Sequence, residues 1–475
     1  MRWLFPFITA GLVACGSAPP KVAAKPLGDP KGAHESAIAG QLQPYIEAQL
    51  LRGVVVGVYD AGKREVYGFG TGPNGAPPNG DTLFELGSIT KVYTALMFAD
   101  AVQRKEVELD QPVADLLPTG ATVPGKDQRV ITLKELALHG SGLPRIPPSV
   151  NPNLADPYAL YNADAMYKDL AAAQLETAPG VKVAYSNWGY GLLGFAVAHK
   201  LGGHYAEVLK RRVLDPLKLT STYFLVPAEQ GTPPVPTANL QVGSNDDLAD
   251  ASAWHADALA GAGSLVSTAN DQLSLIEAEL DADAGGKLPL RGAMRLTQEA
   301  QMETQVGETG PNAGLGWQID ADGRYWHNGQ TGGYHTFITF DPKARRGVVV
   351  LAATATTLVD AIPSRVYAVL DNQTPAPPKF PAPRDLIQFA GQYDLAGTKV
   401  SVVADDKRLY ISAPNEPRAR LLPLSDHEFL IEAIQAAVVF EREADGKISR
   451  FVLVVGQQQV NATRVDPDAP APAAN

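Results

Sequence analysis

The chain has 475 residues, 45% of them hydrophobic and 19% charged, which is ordinary globular usage and excludes disorder for the bulk of it. At roughly 100–200 residues per domain, this length predicts two or three domains. The formal net charge of -11 argues against nucleic acid as a partner, because phosphate binding needs a basic surface, and solubility is its simplest consequence.

In chain order, Met1-Arg2 precedes an apolar run from Trp3 to Val13. One basic residue before a short apolar core is the pattern of a secretory signal, too short to span a bilayer as a mature helix. The run ends Leu12-Val13-Ala14-Cys15-Gly16, and Cys15 is the one cysteine, so no intramolecular disulfide is expected. Residues 16–35 are rich in Pro, Ala, Gly and Lys and read as a flexible tether. A long mixed segment, 36–372, follows. Its β-branched run Gly53 to Tyr59, turn Asp60-Ala61-Gly62-Lys63 and alternating Arg64 to Phe69 predict a β-hairpin. Gly57 to Lys63 also fits most of a phosphate-loop pattern. Arg64 then stands where Ser or Thr is required, and a strand follows instead of a helix, which rejects that reading.

Ile89 to Val107 has helical period, with Ile89, Val92, Leu96, Ala99 and Val102 on one face. Ile131 to Leu138 predicts a short helix stopped by His139-Gly140-Ser141-Gly142 and Pro144, and Gly189 to Leu201 a buried one. Ser267-Thr268-Ala269-Asn270-Asp271 reads as a helix cap. Thr336 to Phe340 and Gly347 to Ala353 read as strands, and Ile362 to Leu370 as a last helix. Strands at both ends with helices between predict an α+β fold: one antiparallel sheet flanked by helices, beside a mostly helical subdomain. A Pro-rich linker, 373–384, comes next. Residues 385–466 hold about eight short alternating runs split by turn signals, which predicts a small all-β barrel or half-barrel. The Pro/Ala-rich tail, 467–475, reads as disordered.

The chemistry concentrates in Phe84-Glu85-Leu86-Gly87-Ser88-Ile89-Thr90-Lys91. Residues i and i+3 share a helix face, so the Lys91 amine can approach the Ser88 oxygen. A lysine in a helix's first turn opposes the macrodipole, and that field with burial lowers its proton affinity. A neutral amine accepts a proton from serine; an ammonium does not. Taken alone, the tetrad is common, and Ser88 reads equally as a helix N-cap. Tyr185-Ser186-Asn187 follows a Pro-Gly turn, so Tyr185 and Asn187 can both face a cleft from a loop, though Tyr185 alone reads as a core aromatic. His327-Asn328-Gly329-Gln330-Thr331-Gly332-Gly333 runs into the Thr336 strand, and glycine there lets a ligand approach a strand edge. Gly-x-Ser-x-Gly, the elbow of a Ser-His-acid hydrolase, does not occur, and the eight histidines are too scattered for a zinc pair. Neither metal nor cofactor is expected.

In this order, these three motifs resemble the penicillin-recognising serine enzymes, the serine β-lactamases and penicillin-binding D,D-peptidases. The tyrosine in the second motif resembles the class C-like branch, which also holds D,D-carboxypeptidases, D-aminopeptidases and esterases. Ile131 to Leu136, His139 to Pro144 and Gly261 to Thr268 carry the likeness further, and it covers roughly Ile38 to Leu370. The resemblance implies Ser88 as nucleophile, with Lys91 and Tyr185 sharing general-base and general-acid work. It implies Asn187 as the residue holding Lys91 and the substrate amide, and an oxyanion hole from the backbone N–H groups of Ser88 and Gln330. Gly329 and His327 belong to the substrate-binding strand. His327 stands where β-lactamases of this branch carry lysine, and a histidine is only partly charged near neutral pH. The expected activity is therefore acyl-enzyme hydrolysis of a D-amino-acid peptide amide or a small ester. A class C-like β-lactamase and a catalytically silent cell-wall peptide or penicillin-binding protein are the alternatives.

Residues Leu12 to Gly16 resemble the lipobox of bacterial lipoproteins, which implies a lipidated Cys15 and a membrane-anchored protein on the periplasmic side of the envelope, with Gly16 compatible with the outer membrane. Gln392-Tyr393, Arg408-Leu409-Tyr410 and Phe440-Glu441-Arg442 resemble the lipocalin-like domain that follows such catalytic domains. The expected partners are a small or short-peptide substrate and the membrane through its lipid, without nucleic acid. Oligomeric state stays open.

Overall fold

The computed structural model describes residues 32–282, 288–303, 312–405, 407–414, 416 and 418–465. Cys15, the apolar run before it, most of the tether and the tail from 467 lie outside them.

An eight-stranded antiparallel sheet joins both ends of the long segment, as expected. Its order is Lys63–Gly70, Gly53–Asp60, Arg346–Ala352, His335–Asp341, Tyr325–Gln330, Gln318–Ile319, Asn312–Ala313 and Met302–Glu303. The hairpin turns on Ala61 (φ 47°) and Gly62 (φ 89°), the paired positive φ values of a two-residue turn whose twist matches its strands. Both faces of the sheet are covered, so its central strands are apolar throughout rather than alternating. Val54, Val56, Val58, Val348 and Val350 pack under helices Glu35–Glu47 and Ile362–Leu370. Val55, Ile338, Val349 and Leu351 join the larger core with Leu273 and Ile276 of helix Ala269–Asp281. That helix is capped by Thr268, whose side chain accepts the Asp271 N–H.

Three sequence expectations are corrected here. The helix after Ser88 spans Thr90–Gln103 and not Ile89 to Val107. Lys105 turns to φ 61°, and the Glu106 N–H closes on Ala101 O at 2.9 Å, which ends it early. It is also buried around its whole circumference from Thr90 to Ala101, because it lies between the sheet and the helical region; one apolar face understated that position. The third is the helix expected from Gly189, which spans Asn187–Lys200. Ser186 caps it by accepting the Gly189 N–H at 2.9 Å, so Asn187 projects from a helix and not from a loop.

The C-terminal segment forms a complete barrel of eight sequential antiparallel strands. Gly391–Leu395 closes it by pairing with Gln458–Val465. Eight strands leave an interior about wide enough for side chains, and Phe389, Tyr393, Phe429, Phe440 and Phe451 pack there, with Phe389 and Phe440 centroids 4.8 Å apart. A 3-10 turn, Pro383–Phe389, spans the expected linker boundary. The barrel docks on the first segment through Leu422, buried in the core under the outer helices, and through Tyr410, which donates to Asp247 at 2.9 Å. Glu432 accepts the backbone N–H of Thr357. No helix among the described residues is long and apolar enough to cross a membrane.

Candidate active site

Ser88 sits in a 3-10 turn, Gly87–Ile89, between a short strand and the buried helix. The strand Phe84–Glu85 pairs with Leu265–Ser267, and Leu86 N–H donates to Leu265 O at 2.8 Å. Ser88 does not cap the helix; Ile89 holds that position without a side-chain bond. Gly87, at φ 52°, and Gly329 let the turn and strand Tyr325–Gln330 touch directly. A Cβ on Gly329 would stand 2.0 Å from Leu86 O and 2.8 Å from Ser88 N, and one on Gly87 would stand 2.7 Å from Gln330 N. The backbones of Ser88 and Gln330 are thereby brought side by side.

One turn on, Lys91 is fully buried. Its Nζ lies 2.8 Å from Ser88 Oγ, 2.9 Å from Asn187 Oδ1 and 2.8 Å from Ala262 O. Burial first, and then the Arg145 charge, hold its pKa well below that of a free lysine. A neutral amine has two N–H donors and one lone pair. The two carbonyl oxygens are pure acceptors and take two donors, so that on losing its third proton the amine would turn its lone pair toward the Ser88 hydroxyl. The residues the sequence singled out, Ser88, Lys91 and Asn187, therefore form one connected unit.

Tyr185 completes it. The Lys91 Nζ stands 4.8 Å from the Tyr185 ring centroid, and the Arg145 guanidinium carbon 5.0 Å from the same point. Its ring packs on His139, with 4.4 Å between centroids. In the sequence His139 reads as a helix stop and as part of the stretch that carries the family likeness. It is buried at φ 58°, and its Nδ1 accepts the Ser186 N–H at 3.0 Å, so it ties the helix stop to the tyrosine loop. Burial, then Lys91, His327 and Arg145, push its pKa well down, which keeps it neutral.

His327 is corrected in one respect. It lines the cleft, but it is 3% exposed, and its Nδ1 donates to Asn328 O at 2.6 Å. Burial and the neighbouring Lys91 push its pKa down to about 3. It is a neutral imidazole at physiological pH and not a partly charged one.

These residues open on a cleft of about 790 Å³. Residues outside the three motifs, Arg145, Tyr158 and Trp254, also line it. Tyr158 also accepts the Asn187 Nδ2–H at 3.4 Å. A smaller pocket beside Ser88, about 30 Å³, is lined by Tyr158, Asn187, Trp254, Leu259, Ala262, Gln330 and Thr331. Arg145 was missed in the sequence because a lone arginine after Leu143-Pro144 has no periodic or motif signal. Among the described residues, no group of three His, Cys, Asp or Glu side chains is placed to hold a metal.

A family profile described as Beta-lactamase matches residues 38–372. The D-alanyl-D-alanine-carboxypeptidase/endopeptidase AmpH of Escherichia coli (strain K12) is 29% identical over 307 residues, 61% of this chain and 75% of that protein. A Beta-lactamase of the same strain is 26% identical over 351 residues, 66% of this chain and 86% of that protein. The crystal structure of a Beta-lactamase/D-alanine Carboxypeptidase from Yersinia pestis superposes with a TM-score of 0.58 at 26% identity, covering 71% of this chain and 98% of that one. A class C beta-lactamase shares the fold at TM-score 0.58 and 22% identity, over 71% of this chain and 95% of that one. With the profile spanning well over half of the sequence, the chain belongs to the beta-lactamase family of serine hydrolases.

Proposed function

We propose that the chain hydrolyses an amide of a D-amino-acid peptide or a small ester through an acyl-enzyme on Ser88. The observation that carries this reading is the 2.8 Å contact of the buried Lys91 amine, whose pKa burial holds well below that of a free lysine, with Ser88 Oγ. Ser88 Oγ attacks the substrate carbonyl carbon while its proton passes to Lys91. The carbonyl oxygen takes the negative charge and is met by the backbone N–H groups of Ser88 and Gln330. The tetrahedral centre then expels the amine or alcohol, which leaves with a proton delivered by Tyr185, and the proton held on Lys91 passes to Tyr185 in its place. Water attacks the acyl carbon and gives up a proton to the same pair, which returns it to Ser88 Oγ as the ester bond breaks and the acid leaves. Asn187 keeps Lys91 aimed throughout.

The peptidase or esterase reading is favoured over a dedicated β-lactamase because position 327 is a neutral histidine and because the AmpH relative is named a carboxypeptidase/endopeptidase. Intact-mass measurement after incubation with a fluorophosphonate and, separately, with a penicillin tests it. The expected result is one stable adduct with each reagent. Rapid turnover of the penicillin would make the β-lactamase reading the correct one, and no adduct with either would leave a silent binding protein.

The lipobox-like Leu12 to Gly16 supports a lipid anchor at Cys15, with the protein in the cell envelope and the barrel as its lipocalin-like accessory domain. Cys15→Ser should move the protein from the membrane to the soluble fraction. Retention in the membrane pellet after a high-salt wash rejects the anchor.

A further inference from the structure

We propose that Glu432 and Tyr410 of the barrel are positioning residues for the cleft: they hold in register the wall against which an extended substrate lies. The proposal rests on the acyl-enzyme reading above and gives the barrel a part in it.

Two segments outside the three motifs line the cleft, one through Trp254 and the other through Ala355 and Thr357. The second follows strand Arg346–Ala352 and turns into the 3-10 helix Thr357–Ala361. The first N–H groups of such a turn have no partner within it, so acceptors from outside fix where it starts. Thr356 Oγ1 accepts the Leu358 N–H at 3.4 Å, and the barrel carboxylate of Glu432 accepts the Thr357 N–H. Glu432 is itself fixed by a tight turn, because Gln435, at φ 49°, donates its N–H and its Nε2–H to Glu432 O at 3.2 and 2.8 Å. Leu422 and Leu430 of the barrel share one apolar cluster with Leu358 and Val359, so packing supports the polar contact. The 3-10 helix in turn reaches the substrate strand. Its Asp360 accepts from His335 Nε2 at 2.7 Å and from Asn328 Nδ2 at 3.2 Å, and both of those residues line the cleft.

The second grip is on the segment that carries Trp254. Tyr410 donates to Asp247 at 2.9 Å, and Arg408 stands 3.8 Å from the same carboxylate. Asp247 lies in a turn closed by the Ala251 N–H on Gly243 O at 3.0 Å and the Asn245 N–H on Ala249 O at 2.9 Å. That turn is pinned to the third motif. The Ser244 N–H donates to Gly333 O at 3.0 Å, and a Cβ on Gly332 would stand 2.7 Å from Trp254 Nε1. The two segments also bond to each other, through the Ala355 N–H on Ser244 O at 2.9 Å and Ser244 Oγ on Ala353 O at 2.7 Å. The barrel therefore enters one connected wall at two points. Arg52 binds the Asp247 turn as well, 2.6 Å from Leu248 O and 2.6 Å from Asp250, so the Tyr410 contact is the more dispensable of the two.

The test compares p-nitrophenyl acetate, which needs little beyond Ser88, with two thioesters that carry a D-alanyl dipeptide, one on the acyl side and one on the leaving side. Glu432→Ala should raise KM for at least one peptide substrate roughly 5- to 10-fold with kcat within about threefold, and leave kcat/KM for the acetate within about twofold. Glu432→Gln keeps an oxygen acceptor for the Thr357 N–H and should recover part of the wild-type KM. Tyr410→Phe keeps the ring and should give a smaller rise; it carries the same comparison should Glu432→Ala not fold. The double variant should depart from the product of the single effects, because the two segments are bonded to each other. Hydrogen exchange across 243–254 and 354–361 should quicken in the folded variants. A peptide KM that does not move, an equal loss on acetate and peptide, no recovery in Glu432→Gln, or a wild type that gains nothing from the peptide group overturns the proposal. Fluorophosphonate labelling of the wild type separates the two readings. A labelled Ser88 with an unmoved peptide KM rejects the barrel's part alone, and an unlabelled Ser88 in folded protein rejects both.

Discussion

Ser88→Ala should abolish the fluorophosphonate adduct and lower ester hydrolysis on the order of 10⁶-fold, while the unfolding free energy moves by less than about 1 kcal/mol. The two halves of this result have separate causes. In the proposed mechanism loss of Oγ removes the atom that bonds to the substrate carbon, and Lys91 lies behind it, bonded to Asn187 and Ala262. The fold scarcely registers the change, because Ser88 does not cap its helix and its Oγ makes one polar contact of consequence, with Lys91. Alanine also suits the start of a helix at least as well as serine does. Intact-mass labelling and thermal unfolding on one preparation check both halves. Hydrolysis that survives in folded Ser88→Ala protein would place the nucleophile elsewhere.

Lys91→Met should lower the acylation rate by roughly 10²- to 10⁴-fold, the range spanned by a positioned general base. Paired with Tyr185→Phe the loss should fall short of the product of the single losses, because the two groups act as one unit. The more specific result is in stability against pH. Burial lowers the Lys91 pKa in the folded chain, while in the unfolded chain a lysine titrates near 10.4. Between those values the unfolded chain binds more protons, so stability rises with pH and is lost as pH falls toward the depressed folded value. The slope from one such group is at most about 1.4 kcal/mol per pH unit. Methionine fills a similar volume and binds no proton. The wild type should therefore lose ground to Lys91→Met as pH falls from about 10 toward 7, read from urea unfolding midpoints of the two proteins side by side. A difference that stays flat over that window would mean that Lys91 is charged in the folded protein, and the base assignment would fail with it.

Much of this was legible in the order of residues. The hairpin announced itself by β-branched runs around Ala61-Gly62, since strand period and turn chemistry are local. Helix Ile362–Leu370 begins and ends where its apolar period does. The barrel strands showed as alternation split by turns. Its closure did not, because Gly391–Leu395 and Gln458–Val465 meet only through the summed twist of all eight strands. Ser88, Lys91 and Asn187 were legible because a three-residue helical spacing and three ordered motifs survive in linear text.

What the sequence alone determined about this protein is its division into an α+β part and a β-rich part, and it singled out the residues to which the proposed chemistry is assigned; both are written in local spacing. Tertiary structure decided the electrical state of that set. Folding encloses both groups, which holds the Lys91 pKa well below that of a free lysine and leaves His327 neutral, whereas composition counts a lysine as charged wherever it stands. It also decided which distant residues join the site. His139 and Arg145 reach Tyr185 only because Ser186 and Asn187 bond back to the loop that carries them. Burial and long-range contact are sums over the whole chain, and no window of sequence contains them.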